Sequence, residues 1–552
     1  MAVNDQPLLE TPKVSSWKRL CLLASLLAII STSALVGTQY IKTTFSFVSP
    51  RPPHTNDESQ YDSISCSAMV LEIARATTMP MDRTSPLQCF LTKTTPHIEE
   101  ALDMANDVKH RINNPRERAA LHDCVELMDS SIDSVLDSIK ALQKHTPHSY
   151  EDAHVWLSAV FTNHVICMDG LEGQGWTMME PKLNDLIARA RTSLAMVVAI
   201  SARQDNVLLE PLIEEFPTWV TNRDSSLLKA FPNDVFKPNI VVAQDGSGNT
   251  RTVKEAIESV PKNSKVRYII YVKKGVYYEN VRIGKTKRNV MLVGDGMFST
   301  IINGSLNAVD GATTFNSATV AVDGDGFIAQ DIGFQNTAGP QKHQAVALRV
   351  SGDKSVINRC YMDGYQDTLY AHSSRQFYKD SYITGTIDFI FGYAAVVFQS
   401  CKLVARKPMK GQNNMVTAQG RADKNQSSGT SIQRCEVTAS SDLVPVKTSV
   451  RSYLGRPWKA YSRTVVMQSY IGDHIDPAGW SIWNDTTLSY LDTLYYGEYL
   501  NRGPGAGLSK RVKWHGYHKI DNPAEAQHFT VAELIQGGTW LKDTGVSYVE
   551  GL

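Results

Sequence analysis

From Asn239 to the C-terminus the chain is written in short β-prone runs that keep returning. Tyr268-Ile-Ile-Tyr-Val272, Val290-Met-Leu-Val293, Ala318-Thr-Val-Ala-Val322, Ala345-Val-Ala-Leu348 and Ala394-Ala-Val-Val-Phe398 recur about every 20 to 30 residues, separated by Gly, Asp and Asn. Few long helical patterns lie between them. A β-sandwich wants hairpin turns every 8 to 12 residues or so and ranks second. The longer cadence fits a parallel β-helix, in which each coil buries its strands against the coils above and below. Lys254 to Val260, just after Asp245-Gly-Ser-Gly248, reads as a short helix capping the first coil.

Within this region Gly364 to Gly392 holds two aspartates, Asp367 and Asp388, 21 residues apart. Asp388 lies in Ile-Asp-Phe-Ile-Phe, otherwise a buried-strand pattern, where an ionised carboxylate is costly unless paired or functional. An isolated Asp near Gly is usually a turn residue, and that reading stands beside the functional one. If one coil takes about the length of that spacing, the two carboxylates become neighbours on a single face, suited to nucleophilic and acid/base work. Gln344 precedes Gln366 by 22 residues, so two amides stack beside Asp367 and can donate to an oxyanion. Leu454-Gly-Arg456-Pro-Trp458 offers a guanidinium to hold Asp388 ionised. Trp458, Trp480, Trp483 and Tyr370 suit sugar-ring stacking or, equally, a core.

The preceding segment has a different texture. Ala101 to Ile112, Arg118 to Leu142 and Leu183 to Ala202 repeat apolar residues at three- and four-residue steps, which predicts a four-helix bundle with an N-terminal extension. Cys124 and Cys167 are a candidate staple across a 43-residue loop. His122 and His164 read as surface or packing residues, and no catalytic constellation appears there. Pro211, Phe216-Pro217 and Phe231-Pro232 break the pattern between Glu210 and Pro238 and mark a domain boundary.

Nearer the N-terminus, Trp17-Lys18-Arg19 precedes a largely apolar run of 17 residues, Leu20 to Val36. It predicts a signal peptide or single-pass anchor with the remainder outside the cytosol. Ser49 to Ser59 is a Pro-rich, polar linker. Seven cysteines lie beyond the apolar run, with no CxxC spacing, so no metal site is expected. Asn303, Asn425 and Asn484 head N-x-S/T sequons that fit a secreted chain. Equal numbers of basic and acidic residues, 56 of each, give no overall basic field, which argues against nucleic acid as a partner. There is no GxSxG elbow, HExxH or P-loop, and Gly324-Asp-Gly326 lacks the following helix of a dinucleotide site.

Several segments together carry a family resemblance. They are Gly311-Ala-Thr-Thr-Phe315, Gln344-Ala-Val-Ala-Leu348, Gly364-Tyr-Gln-Asp-Thr-Leu-Tyr370, Asp388-Phe-Ile-Phe-Gly392, Leu454-Gly-Arg-Pro-Trp458, Tyr495-Tyr-Gly-Glu-Tyr499 and Gly503-Pro-Gly-Ala506. The C-terminal region resembles plant pectin methylesterases, and the helical region resembles the inhibitor domain that precedes many of them as a pro-region. The resemblance runs from about Cys66 to Leu552.

It implies an all-β right-handed parallel β-helix catalytic domain behind an all-α four-helix bundle, and hydrolysis of the C6 methyl esters of homogalacturonan in the cell wall. Carried over, Asp388 is the nucleophile and Asp367 the acid and then base. Gln344 and Gln366 hold the oxyanion, Arg456 positions Asp388, and Thr314, Gln344, Arg456, Trp458 and Tyr370 contact substrate. No metal or organic cofactor is implied. The implied partners are methyl-esterified pectin, the intramolecular pro-region and a subtilisin-like processing protease. Cys401–Cys435 and Cys66–Cys89 match family disulfides, whereas Gly333 stands where the partner of Cys360 would be. The usual dibasic processing site reads Arg223-Asp-Ser-Ser-Leu227-Leu228, and Tyr393 replaces a common Asn. The expected divisions are 1–19 cytoplasmic tail, 20–40 signal or anchor, 41–60 linker, 61–210 bundle, 211–235 processing region and 236–552 β-helix. A β-helix polysaccharide hydrolase or lyase, and a non-catalytic pectin-binding or inhibitor protein, are the rival readings.

Overall fold

The computed structural model describes residues 84–201 and 237–552. The apolar run at 20–36, the linker at 49–59, Cys66 and the processing segment at 211–235 lie outside the described residues. No helix among the described residues is long and apolar enough to cross a membrane.

Residues 84–201 form four helices: α1 (Thr84–Arg111), α2 (Pro115–Leu142), α3 (Pro147–Gly170) and α4 (Gly173–Ser201). Asn114 caps α2 through its side chain, which accepts from Arg116 N at 2.9 Å, and Pro115 follows at the first helical position. Thr146 and Ser149 close a reciprocal capping box on α3. Such caps satisfy amides that the helix itself leaves orphaned. Leu91, Ile98, Leu121, Leu127, Phe161, Leu183 and Leu194 fill the core. The expected Cys124–Cys167 disulfide joins α2 to α3. Cys89 is also disulfide-bonded.

Residues 237–552 wind into three all-parallel sheets of eleven, seven and eight strands. The seven-stranded sheet comprises β1 (Val281–Ile283), β2 (Val320–Val322), β3 (Leu348–Val350), β4 (Leu369–Ala371), β5 (Ile390–Gly392), β6 (Asn414–Gln419) and β7 (Ser452–Pro457). Leu348 pairs with Leu369 and Leu369 with Ile390, so a lap here is 21 residues. Inside, Val, Ile, Leu and Phe stack coil upon coil. The helix Val253–Glu258 caps the first coil, with Thr252 accepting from Glu255 N at 3.2 Å.

Six of the eight bends from the eleven- to the eight-stranded sheet use one left-handed residue, and Leu500 repeats it one coil further on. Asp331, Arg359, Asp380, Ser400, Arg434, Gln468 and Leu500 all have φ between 48° and 57°. A side chain in that region costs on the order of 1 kcal/mol. Repeating the bend offsets this, because from Cys360 onward the next residue of each coil forms a polar ladder: Cys360 N donates to Ser381 Oγ at 3.1 Å, and Cys435 N to Ser469 Oγ at 3.0 Å.

Cys401 and Cys435 occupy this ladder, and here the expected disulfide is corrected: both are free thiols, as is Cys360. Cys401 N donates to Cys435 Sγ at 3.3 Å. The thiol of Cys435 points to Phe398 O at 3.3 Å and that of Cys401 to Tyr378 O at 3.5 Å. The sulfurs are thus rungs equivalent to the serine hydroxyls. Of the sequons, Asn303 is buried in the strand Thr300–Gly304, its Oδ1 accepting from Thr337 at 2.9 Å. Asn425 is half-buried and Asn484 is exposed.

Candidate active site

Register aligns one residue from each strand on the outer face of the seven-stranded sheet: Arg282, Ala321, Arg349, Tyr370, Phe391, Ala418 and Arg456. Side chains at equivalent positions of stacked coils stand about 4.8 Å apart. Asp367 and Asp388 sit two residues before β4 and β5, each at positive φ, 63° and 50°. Asp367 N donates to Ile387 O at 3.0 Å, joining the two coils beside the carboxyls. Both aspartates are buried.

Arg456, from β7, donates Nε to Asp388 Oδ1 at 2.8 Å and Nη2 to Asp388 Oδ2 at 2.5 Å. Its guanidinium lies 4.2 Å from the centre of the Trp483 ring. Burial raises Asp367 well above the ordinary carboxylate range, the charge of Asp388 adds to that, and Arg456 opposes it. Burial also pushes Asp388 up, against the charge and hydrogen bonds of Arg456. Sharing one site, the pair keeps its proton on Asp367 and its negative charge on Asp388.

Gln344 and Gln366 stand on neighbouring coils, Ala345 N donating to Gln366 O at 3.2 Å, and both are half-buried. The floor beside them is aromatic. Tyr370 stacks on Phe391 at 4.2 Å, and Trp458 lies 4.9 Å from Tyr393 and 6.5 Å from Trp483. Trp480 belongs to the core instead, stacked on Tyr496 with Nε1 on Glu498 at 3.2 Å. Thr314 is half-buried at the start of the turn Phe315–Ser317.

Residues 239–538 match the family model described as Pectinesterase, and residues 38–200 that described as Plant invertase/pectin methylesterase inhibitor. The chain belongs to the pectinesterase family. It is 55% identical to a "Pectinesterase/pectinesterase inhibitor" of Ficus pumila var. awkeotsang over 558 residues, covering 100% of both chains. It is 49% identical to "Pectinesterase/pectinesterase inhibitor 18" of Arabidopsis thaliana, again over 100% of both. Among solved structures, "Pectin methylesterase from Carrot" is 57% identical, with a TM-score of 0.57, over 58% of this chain and 99% of that one.

The inhibitor-like bundle packs over the aromatic floor beside the carboxyl pair. Phe315, Val346, Tyr370, Phe391 and Ala418 share one hydrophobic cluster with the bundle core, with Trp458 and Trp483 packed at its edge. Tyr370 is consequently 2% exposed. Around this patch the charges are complementary. Lys285 bridges Asp129 and Asp133 at 2.7 Å each, and Arg288 meets Asp137 at 3.3 Å. Arg375 meets Asp152 at 2.5 Å, Lys459 meets Asp169 at 2.7 Å, and Arg282 pairs with Glu126. Gln426 Nε2 donates to Thr162 Oγ1 at 3.1 Å, and Trp156 Nε1 to Asp353 Oδ2 at 3.1 Å. Sequence reasoning did not single out Phe391, Phe315 or this acidic stripe on α2. The signal was there in Glu126, Asp129, Asp133 and Asp137, spaced three and four apart on one face.

Proposed function

We propose that this protein hydrolyses the C6 methyl esters of homogalacturonan, releasing methanol, with Asp388 as the nucleophile. The observation that carries the reading is the buried carboxyl pair, one member ionised by a bidentate guanidinium and the other protonated, above an aromatic floor. Asp388 attacks the ester carbonyl carbon, and the oxyanion that forms is held by the amides of Gln344 and Gln366. Collapse expels methoxide, which takes the proton of Asp367 and leaves as methanol. The acyl group is then an anhydride on Asp388. Asp367, now a base, takes a proton from water. The hydroxide adds to the galacturonyl carbonyl, and Asp388 departs as a carboxylate with Arg456 waiting for it. Thr314, Trp458 and Tyr370 position the sugar chain.

The docked bundle hides that floor, so the full chain is autoinhibited until the bundle leaves. Secretion to the cell wall places the enzyme with its polymer. Methanol release from highly methylated pectin tests the assignment. The wild type yields methanol and Asp388→Asn, isosteric but not nucleophilic, yields none while keeping its fold. Comparable rates would overturn it.

A further inference from the structure

Four of the buried or half-buried arginines present the same edge, Nε with Nη2, to a carboxylate. Arg456 takes Asp388 this way, Arg375 takes Asp353, Arg359 takes Asp331 and Arg511 takes Glu498. Arg349 does not. It is 0% exposed, yet its Nε and Nη2 have no partner. Only Nη1 is engaged, donating to Asp323 Oδ1 at 2.7 Å and Ser351 Oγ at 2.8 Å. The ring of Phe315 lies against the guanidinium, 3.7 Å from Cζ to the ring centre, and holds the plane fixed. A planar fork with a free bidentate edge is a carboxylate receptor already oriented. Leaving that edge unfilled in a buried place is costly.

Its position adds the function. Arg349 is in register with Tyr370 on the adjacent coil, the coil that carries Asp367. The bundle brings a carboxyl to the same spot: Asp123 of α2 accepts from Asn316 Nδ2, on the turn that supplies Phe315, and feels the charge of Arg349. It does so without filling the Nε–Nη2 edge. A sugar acid entering when the bundle withdraws finds the empty edge and the freed amide of Asn316 together.

We infer that Arg349 and Asn316 form a subsite for the free carboxylate of an already de-esterified galacturonate, adjacent in the chain to the unit whose ester Asp388 attacks. This rests on the esterase reading above. Arg349 is thereby a specificity-determining residue that directs the enzyme to esters bordering free acids.

The test uses the full chain and compares kcat/KM on sparsely and densely methyl-esterified pectin. The ratio of the two cancels whatever fraction of molecules has the bundle displaced. Arg349→Gln lowers the sparse-to-dense ratio about tenfold, the worth of a charge-assisted hydrogen bond, through KM. Arg349→Lys restores part of it, and Asn316→Ala lowers it by less. Asp123→Asn changes both rates together and leaves the ratio alone. A structural role for Arg349 would depress both substrates equally. Calorimetric titration with polygalacturonate, which has no ester to turn over, decides the point without catalysis: Arg349→Gln binds it about tenfold more weakly than wild type. Absence of methanol from every pectin would sink the esterase reading and leave the subsite to the titration. An unchanged ratio, or unchanged polygalacturonate affinity, in Arg349→Gln would overturn the subsite.

Discussion

Arg456→Ala isolates what the guanidinium does for the nucleophile. The side chain is 22% exposed and that of Asp388 7%, so the pair is mostly shielded from water. Removing one partner of such a pair strands the other, at a cost of about 3 kcal/mol, the low end for buried pairs because Arg456 keeps some solvent contact. Asp388 then meets burial without its counter-charge, and its carboxyl rises as that of Asp367 already does. In the proposed mechanism an ionised Asp388 is the reactive form, so a smaller fraction is competent at any acidic pH. The expected loss in kcat/KM is about 100-fold, and the acid limb of its pH profile moves to higher pH. Arg456→Lys keeps the charge but loses one of two hydrogen bonds, for a loss of about tenfold. Methanol release measured across pH, with melting temperature as a control, reads both. An acid limb that stays in place in Arg456→Ala would refute the idea that Arg456 keeps the nucleophile ionised.

Burial lifts Asp123 to about 7, with Glu126 adding and Arg349 opposing. The docked bundle therefore holds a proton that the undocked one releases. Docking is fully supported below the usual carboxylate value, near 3.8, and weakens as pH rises through about 7. In the full chain, methanol release relative to that of Asp123→Asn climbs across that window, and a flat ratio would remove the carboxyl from the docking equilibrium. Separately, replacing Cys124 and Cys167 by Ser opens a 43-residue loop and lowers the stability of the bundle by about 4 kcal/mol, seen as an earlier melting transition of its helices.

The coil was legible because the interior is apolar on every lap and the lap length is nearly constant around Asp367 and Asp388. Its bends were not legible. Several left-handed positions carry Arg359, Arg434, Gln468 and Leu500, residues with no turn preference of their own. What holds them is hydrogen bonding to the coil above and below, which no single segment displays. Helix α3 showed no three-and-four rhythm of its own in the predicted four-helix bundle, for a related reason. It is packed between its own bundle and the pectinesterase region, with Val155, Leu157 to Val165 and Cys167 nearly all buried. A helix covered all round has no polar stripe to produce the three-and-four rhythm.

The site was partly legible. The spacing of Asp367 and Asp388 placed two carboxyls on one face, and the guanidinium of Arg456 arrived where the family pattern implied. Arg349 was invisible because Ala-Leu-Arg-Val reads as an ordinary strand with one residue facing out. Only the register row shows that this outward face is the floor of the site. The cysteine ladder misled in the opposite direction: sulfur at equivalent positions of adjacent coils suggests a bond, whereas the same positions hold serines on other coils.

Balanced composition also concealed a segregation. The acids of α2 and α3 face the bases of β1 and the coils beyond it, so the neutral total is the sum of two unlike surfaces. Apart from Arg375–Asp152, whose guanidinium is buried, these exposed or half-exposed pairs contribute roughly 0–1 kcal/mol each, too little to hold a domain in place by themselves. The hold comes from the patch around Phe315, Tyr370 and Phe391, where each buried aromatic contributes on the order of 2 kcal/mol. The charges fix where along the sheet α2 lies. A pectin chain draws on the same two resources, aromatic faces for its rings and cations for its acids. On the proposed reading, bundle and substrate therefore compete for one surface by the same chemistry, and de-esterified polymer, richer in carboxylates, is expected to be the stronger competitor of the two forms.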